Sequence, residues 1–315
     1  MTMLPISVDY PIYVGDNDSV EYAIYKVDGS TNTKIYSGKA FKRPGDEDIH
    51  IVVNDICANY MTITLPTTEG VTIRPLDEFL VVANGIEQRV FFYADYSERP
   101  QENRYVLSEP INGRLDARQY LLYTEYDQHS YVVSRKDGDS IEGVYEIYAD
   151  EGRISSLLIN LPKQTMLRGQ IGVNDQAYEV VESCAKYALY YVNAFGGWDS
   201  FLIEGNHKET DSIVRHNHSV EYDNRNISNR GRLNYLNEIT KKITLYTSWL
   251  TDEQSSRMHH LLNATQVYLF DLETQEMKPI LLTNTSTEYK TYKGNGRKLV
   301  NYEIEVELAN EKIRR

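Results

Sequence analysis

The sequence predicts an all-β protein in which tandem β-sandwich domains precede a C-terminal β domain with one flanking α-helix. Three observations favour this class. Apolar and polar residues alternate with a period of two along most of the chain, which is typical of half-buried strands. Tyrosine, which favours pleated half-buried surfaces, occurs 26 times, against 7 phenylalanines and 2 tryptophans. Only one segment combines a helix-capping pattern with apolar residues at helical spacing.

Length and charge restrict the function classes before any motif is considered. The 315 residues exceed what one hydrophobic core usually serves, and 33 basic against 46 acidic residues give a net charge of −13. This acidic balance argues against a dedicated nucleic-acid-binding protein, which needs a basic face. No apolar run is long enough to cross a bilayer, and the N-terminus lacks the pattern of a signal peptide. The sequence therefore predicts a soluble, multidomain, non-secreted protein.

Residues 1–97 are predicted to form the N-terminal β-sandwich domain. Its strands follow from alternating segments and from the tight-turn dipeptides Asp-Gly at 28–29 and Asn-Gly at 84–85. The alternating segments are 20–26, 34–37, 49–53, 61–65, 79–82 and 89–93. The polar segment 96–104 is interpreted as a linker, so the first domain boundary is placed there.

Residues 105–184 are predicted to form a second β-sandwich domain. Its predicted strands are 119–123, 131–133, 143–148 and 154–159. The last two flank an acidic-Gly turn at 150–152, and the pattern Tyr-x-Ile-Tyr before this turn also occurs at 22–25, ahead of the turn at 28–29. Two similar sandwich domains in tandem would explain the repeat. Chance would also explain it, because all hairpins favour the same residue types.

Residues 185–315 differ in kind, because strands here surround the one predicted helix, 251–263. Thr251 and Gln254 form a capping box, and Met258, Leu261 and Leu262 supply an apolar face at helical spacing. A polar, Asn- and Arg-rich stretch is expected to precede the strand at 243–246, and a polar loop to occupy 283–298. The other predicted strands are 187–192, 266–270, 279–282 and 302–308, and the segment 194–205 is expected to contain a turn and a further strand.

The sequence predicts that the protein is not an enzyme and has no catalytic, cofactor-binding or metal-binding residues. His216 and His218 would share one strand face, but no third ligand completes a metal site, so two exposed histidines in a polar loop are expected. Ser200 lacks the nucleophile-elbow pattern, and 294–298 is interpreted as a hairpin tip rather than a phosphate-binding loop. The acidic run 46–48 lacks the ligand spacing of a calcium loop. A pair of carboxylates that meets only in space, as in glycosidases, stays open.

The two tryptophans and two cysteines are expected to be structural. Trp198 and Trp249 stand at the entries of a strand and of the helix, where core anchoring is the expected role; for Trp198 an interface role stays open. Cys57 and Cys184 are too few for a disulfide framework or a cysteine-built zinc site, and both are expected to be small buried hydrophobes.

Four C-terminal segments, at 187–205, 249–254, 266–272 and 302–315, carry a resemblance to a known family. Together they resemble virion proteins of tailed bacteriophages, and more narrowly the tail or neck proteins of phages of gut Bacteroidetes-type bacteria, including the crAss-like group. The resemblance covers roughly the last 130 residues well and the N-terminal hairpins only loosely.

This resemblance implies a tail-tube-like β-sandwich or split barrel flanked by a helix, and a structural role in a tail-hub, tail or neck ring through which DNA passes. The implied partners are copies of the chain itself in a closed six-fold or twelve-fold ring, and adjacent tail, neck or fibre proteins. The loop at 284–298 would reach a neighbouring subunit. The implied location is the virion tail or neck, after synthesis in the host cytoplasm, with no membrane and no specific nucleic acid as partner. The alternative is a carbohydrate-binding or receptor-binding tail module, because sandwich domains with exposed aromatic residues bind sugars.

Overall fold

The computed structural model describes residues 4–6, 10–13, 17–93, 106–125, 130–137, 140–148, 154–160, 168–219, 231–283, 290–294 and 297–314. Strands dominate these residues, and only two helices occur among them, so the predicted all-β class is confirmed. Neither helix has the length and apolar character needed to cross a membrane.

The N-terminal part is built on a five-stranded sheet with the strand order β1-β8-β7-β3-β4. Its strands are β1 (Leu4–Ile6), β3 (Ser19–Asp28), β4 (Thr31–Phe41), β7 (Glu78–Ala83) and β8 (Ile86–Tyr93). A separate antiparallel pair consists of β2 (Tyr10–Tyr13) and β5 (Asp48–Ile51). Both predicted hairpin turns are confirmed, since Gly29, Asn84 and Gly85 adopt the positive φ angles that tight turns require.

The alternating segment 61–65 does not form a strand, and that prediction is wrong. It follows a short helix, α1 (Asn54–Ala58), which the sequence pattern did not predict. The ammonium group of Lys26 donates to the carbonyl oxygen of Tyr60 at 2.8 Å and to the hydroxyl of Thr62, and the main-chain N–H of Thr62 donates to Asp77. Side chains thus provide hydrogen bonds that a neighbouring strand would otherwise supply.

The middle part contains two further sheets. A three-stranded sheet has the order β10-β13-β6 and consists of β6 (Gly70–Pro75), β10 (Tyr120–Glu125) and β13 (Ser155–Asn160). A five-stranded sheet has the order β12-β11-β14-β15-β9 and consists of β9 (Arg114–Asp116), β11 (Ser130–Asp137), β12 (Ser140–Tyr148), β14 (Arg168–Val173) and β15 (Gln176–Val181).

One of these sheets joins the first two predicted domains. Strand β6 lies within the predicted domain 1–97, yet it pairs along its whole length with β13 of the predicted domain 105–184. The two predicted units therefore share a sheet. The predicted linker 96–104 and the turn 150–152 lie outside the described residues.

The C-terminal part is a seven-stranded sheet with the order β17-β16-β20-β21-β24-β19-β18. Its strands are β16 (Tyr187–Val192), β17 (Trp198–Leu202), β18 (His207–Ser219), β19 (Arg232–Tyr246), β20 (Val267–Asp271), β21 (Met277–Leu282) and β24 (Glu303–Arg314). The short strands β22 (Lys290–Gly294) and β23 (Arg297–Asn301) form an antiparallel pair of their own, so the loop expected at 283–298 is wrong for 290–294 and 297–298.

The helix of this part, α2 (Asp252–Leu262), is confirmed together with its cap. The hydroxyl of Thr251 accepts from the main-chain N–H of Gln254 at 3.3 Å, and the side chain of Gln254 accepts from the N–H of Thr251 at 3.0 Å. The main-chain N–H groups of Thr251 and Gln254, which have no partner within the helix, are thereby satisfied. Met258 and Leu261 are buried on the inner face of the helix.

The core on either side of β16 ties the C-terminal sheet to the rest of the molecule. Strand β16 is buried on both faces: Ala188 and Tyr190 pack into a cluster shared with the N-terminal sheet, and Leu189 and Tyr191 pack into a cluster shared with α2. The Tyr190 hydroxyl also donates to the carbonyl oxygen of Tyr120 at 2.8 Å. A third cluster lies between the two middle sheets. Three predicted domains are thus packed through shared cores.

Candidate interaction surface

The polar stretch expected before residue 243 is in fact the longest hairpin among the described residues. Strands β18 and β19 pair from His207↔Leu245 to Ser219↔Arg232. At about 3.3 Å per residue, the 13 residues of β18 span roughly 43 Å. We call residues 210–219 and 232–242 the arm, because they lie beyond the buried base of this hairpin.

The arm begins where burial ends. At the base, Ile243 and Leu245 are 6% and 0% exposed and face the core, opposite Val306 and Ile304 of β24. Beyond them, no residue of the arm is buried. Its backbone is held by the ladder between its own two strands and, on one side, by the pairing of 238–240 with 312–314 and of Lys242 with Glu307.

A bulge gives the outer arm an aromatic cluster. The register shifts after His216, where residue 235 of β19 has no partner on β18. The Tyr235 ring lies 6.1 Å from the His216 ring and 5.7 Å from the His218 ring, measured between centroids. The two histidines therefore lie on a strand rather than in the expected loop, and their neighbour is a tyrosine. The described residues hold no group of three or more ligands suited to a metal ion.

The arm exposes large apolar side chains on both faces. Ile213, Val214, Leu233 and Tyr235 are 47%, 51%, 40% and 62% exposed. Adjacent residues of a strand point to opposite faces, so Ile213 and Val214 make each face of the arm partly apolar. Exposed apolar side chains grouped in this way mark an interaction surface more often than an ordinary solvated face.

The arm also differs from the rest of the chain in charge. It contains the basic residues Arg215, Arg232, Lys241 and Lys242 but only Asp211 and Glu238 as acids, a net charge of +2. The whole chain carries −13. A basic, partly apolar projection thus extends from an acidic body.

The outer side of β18 is a free sheet edge among the described residues. Strand β18 stands last in the seven-stranded sheet and pairs only with β19. An edge of 13 residues presents a row of unpaired N–H and C=O groups, which is a template for another strand. The arm carries charged residues but no proline, so it is only partly protected against such pairing.

The base of β18 is fixed to the body by polar contacts. The Glu209 carboxylate accepts from the Lys186 ammonium group at 2.7 Å and from the Tyr187 hydroxyl at 2.8 Å. Just before the strand, Glu204 forms a double contact with the guanidinium of Arg114 at 2.6 and 2.7 Å. These bonds connect both ends of the segment 204–209 to the body of the molecule.

At the opposite edge of the sheet, a buried polar clasp holds the segment after residue 106. Asp199 of β17 is 1% exposed and accepts from the main-chain N–H of Glu109 at 3.0 Å and from the amide of Asn193 at 2.6 Å. Burial raises the pKa of Asp199 to about 7, although both hydrogen bonds act against this rise. Asn193 in turn accepts from the N–H groups of Phe195 and Gly197.

Burial is confirmed for one of the two tryptophans and one of the two cysteines. Trp198 is 4% exposed and packs against Tyr268, which confirms its core role. Cys57 is buried as expected. Trp249 is 53% exposed and Cys184 is exposed, so the predictions of burial for these two are wrong. Both lie in connecting segments, outside any strand or helix.

No protein-family model matches the sequence, and no curated protein matches it either.

Proposed function

We propose that the protein is a structural subunit of an oligomeric ring in the tail or neck of a tailed phage, and that the arm is its assembly element. The arm carries this proposal: a basic hairpin, exposed on both faces, extends from an acidic body and bears Ile213, Val214, Leu233 and Tyr235 in solvent. Monomeric soluble proteins rarely expose grouped apolar side chains of this kind, so the projection favours a partner. The placement in a virion rests on the resemblance of the C-terminal segments alone.

The charge difference supports a head-to-tail contact between copies. If the arm of one copy lay on the body of the next, a positive surface would meet a negative one, and each copy would use two different surfaces. Interfaces of this heterologous kind close into rings when the rotation between copies closes. The arm-to-arm alternative would bring like charges together and is disfavoured by the same argument.

The experiment that tests this proposal shortens the arm without disturbing its base. Ser212 and Thr240 face each other across the hairpin, so residues 213–239 can be replaced by Asn-Gly, which closes a two-residue hairpin. We expect light scattering behind a sizing column to give a ring-sized mass for the full chain and a monomer mass for the shortened chain. The unfolding midpoint is expected to stay nearly unchanged.

The control replaces an exposed apolar residue that lies outside the arm and has the same size as Ile213 of the arm. Ile86 is 66% exposed, so Ile86→Ser removes exposed apolar surface from the body. We expect it to leave the mass of the assembly unchanged. A shortened chain that assembles as the full chain does would contradict the proposed role of the arm.

One observation favours the second candidate, a glycan-binding or receptor-binding module. Tyr13, Tyr36, Phe41 and Tyr60 are 78%, 41%, 68% and 45% exposed, all within the first 60 residues. Exposed aromatic rings of this kind stack on sugars. Binding of a defined glycan that Phe41→Ala and Tyr13→Ala weaken, by a chain that stays monomeric, would favour this candidate over the ring.

A further inference from the structure

A polar cavity of about 790 Å³ lies where four segments meet. Its walls are the segment 106–113, the end of β10 with Tyr123 and Glu125, the β14–β15 turn with the start of β15, and the first turns of α2. The volume is in the range of cavities that hold small organic ligands. The acidic side chains in its lining are Glu109, Glu125, Asp175 and Glu253, and Arg257 is the only cation among the described residues of the lining.

Arg257 is already committed to two of these acids. Its guanidinium lies 3.6 Å from the Glu109 carboxylate and 2.9 Å from that of Glu253. Glu125 has no such partner: it accepts from the Tyr123 hydroxyl at 2.9 Å and from the Asn174 amide at 2.7 Å, both neutral donors. It is 8% exposed and forms no ion pair with any described residue. Buried carboxylates are rarely left without a cation.

The side chain of Tyr178 gives a second, independent indication that the cavity suits a polar ligand. Tyr178 lines the cavity, is 3% exposed, and makes no hydrogen bond through its hydroxyl to a described residue. The hydroxyl of Tyr191, which does not line the cavity, is buried and has no hydrogen-bond partner among the described residues. Because hydroxyl groups of buried side chains are normally satisfied, the Tyr178 hydroxyl is available to a polar atom of a ligand in the cavity.

We propose that this cavity binds an organic cation, an alkylammonium or guanidinium group, whose donors reach the Glu125 carboxylate and the Tyr178 hydroxyl. Both chemical groups accept hydrogen bonds, and the carboxylate supplies the compensating charge. The cation is either a free small molecule or a lysine or arginine side chain of another chain. This proposal stands independently of the assembly role of the arm.

Agmatine is a suitable probe because it carries an ammonium group at one end and a guanidinium group at the other. We expect calorimetric titration of the full chain to detect agmatine binding and to detect none for 1,5-pentanediol, a neutral chain with hydroxyl ends. Glu125→Gln keeps the shape and the acceptor oxygen but removes the charge, and we expect it to weaken agmatine at least tenfold. Asp175→Asn, at the exposed turn, is expected to weaken it a few-fold without any risk to folding.

Glu69→Gln is the matched control, because Glu69 is exposed and far in sequence from the cavity lining. It removes the same charge and should leave agmatine binding unchanged. Absence of agmatine binding, equal binding of the diol, or a loss in Glu69→Gln as large as that in Asp175→Asn would overturn the proposal.

The source of the cation is distinguished by repeating the titration at increasing protein concentration. If a side chain of another copy occupies the cavity, agmatine binding weakens as the protein assembles, and agmatine lowers the assembled mass. If the ligand is a free small molecule, affinity is independent of assembly. The arm-shortened chain, which keeps the cavity, is expected to bind agmatine in either case.

Discussion

The two edge strands of the seven-stranded sheet, β17 and β18, have opposite environments. All five residues of β17 are buried, whereas β18 has no buried residue in 13. Strand β17 is covered by β10 and β9 of the middle part, and its Asp199 clasps the segment after residue 106. Strand β18 leaves the body and continues into the arm.

This difference means that β17 contributes to the stability of the fold, whereas β18 provides surface for a partner. Residues of β17 lie between two hydrophobic clusters and contribute apolar burial to folding. Residues of the arm bury little in the monomer, so substituting them removes little stability. The arm exposes the unpaired backbone groups of β18 and several apolar side chains. Only a partner can bury these groups.

The largest effect is expected from a matched pair of truncations on the two edges. Phe201 of β17 is 0% exposed and Ile213 of β18 is 47% exposed. Phe201→Ala should lower the free energy of unfolding by about 3–5 kcal/mol, because it leaves a cavity in the core. Ile213→Ala should change it by less than about 0.5 kcal/mol. Urea denaturation of both variants measures the difference, and equal losses would show that the arm is packed in the monomer.

The pH dependence of stability is expected to come from the buried edge as well. The folded-state pKa of Asp199 is about 7, against about 4 in an unfolded chain, so the folded state holds this proton more tightly. The free energy of unfolding should therefore fall as pH rises from about 4 to about 7, by at most about 4 kcal/mol. Denaturation curves at pH 4, 5.5, 7 and 8 should show this fall.

Asp199→Asn is the control for this pH dependence, because the amide keeps the shape and an acceptor oxygen but cannot ionise. The difference in unfolding free energy between the full chain and this variant should depend on pH only in the window from about 4 to 7. Acids with lowered pKa, such as Asp116 held by Arg118 and Ser183, contribute below that window and cancel in the difference. An unchanged slope in the variant would assign the effect to another group.

Two glycines test how closely the N-terminal sheet approaches the buried edge. A Cβ on Gly196 would lie 1.8 Å from the carbonyl oxygen of Tyr93, and its φ is +93°. Gly85 also has a positive φ, +76°, but no atom lies within 4 Å of its added Cβ. Gly85→Ala should cost about 1–2 kcal/mol from backbone strain alone, and Gly196→Ala about 1–3 kcal/mol more. Thermal unfolding of the two variants separates strain from contact.

The buried part of the C-terminal domain, next to β17, was also the part that the sequence predicted best. Residues 187–192 and the capped helix were predicted because a core imposes apolar periodicity and because Thr251 and Gln254 form a recognisable cap. The arm escaped prediction for the converse reason. Both of its faces are in solvent, so apolar and polar residues need not alternate. The short apolar runs at 213–214 and 235–236 were the available signal.

The cavity could not be predicted, because its lining comes from four segments spread over about 150 residues of the chain. Nothing local marks Glu125 as special, since its significance lies in forming no ion pair with any described residue. The opposite error occurred at 61–65, where alternation is present but Lys26 and Asp77 take the hydrogen bonds of a ladder. The alternation of apolar and polar residues indicates which side chains are buried. It does not indicate which groups form hydrogen bonds with the backbone.

A smaller effect than those at the buried edge is expected at the junction of the arm and the body, where Glu209 contacts Lys186 and Tyr187. The hydrogen bond from Lys186 holds the pKa of Glu209 below its usual range, so its contribution is present above the unfolded pKa and is lost as pH falls through the folded one. The pair is half in solvent, which limits its value. Glu209→Gln should lower the free energy of unfolding by less than about 1 kcal/mol, and 1 M NaCl should remove most of the difference. Glu303→Gln, at the far side of the same sheet base, is the comparison in urea denaturation. A loss for Glu209→Gln that persists in high salt would mean that this contact fixes the arm by geometry rather than by charge.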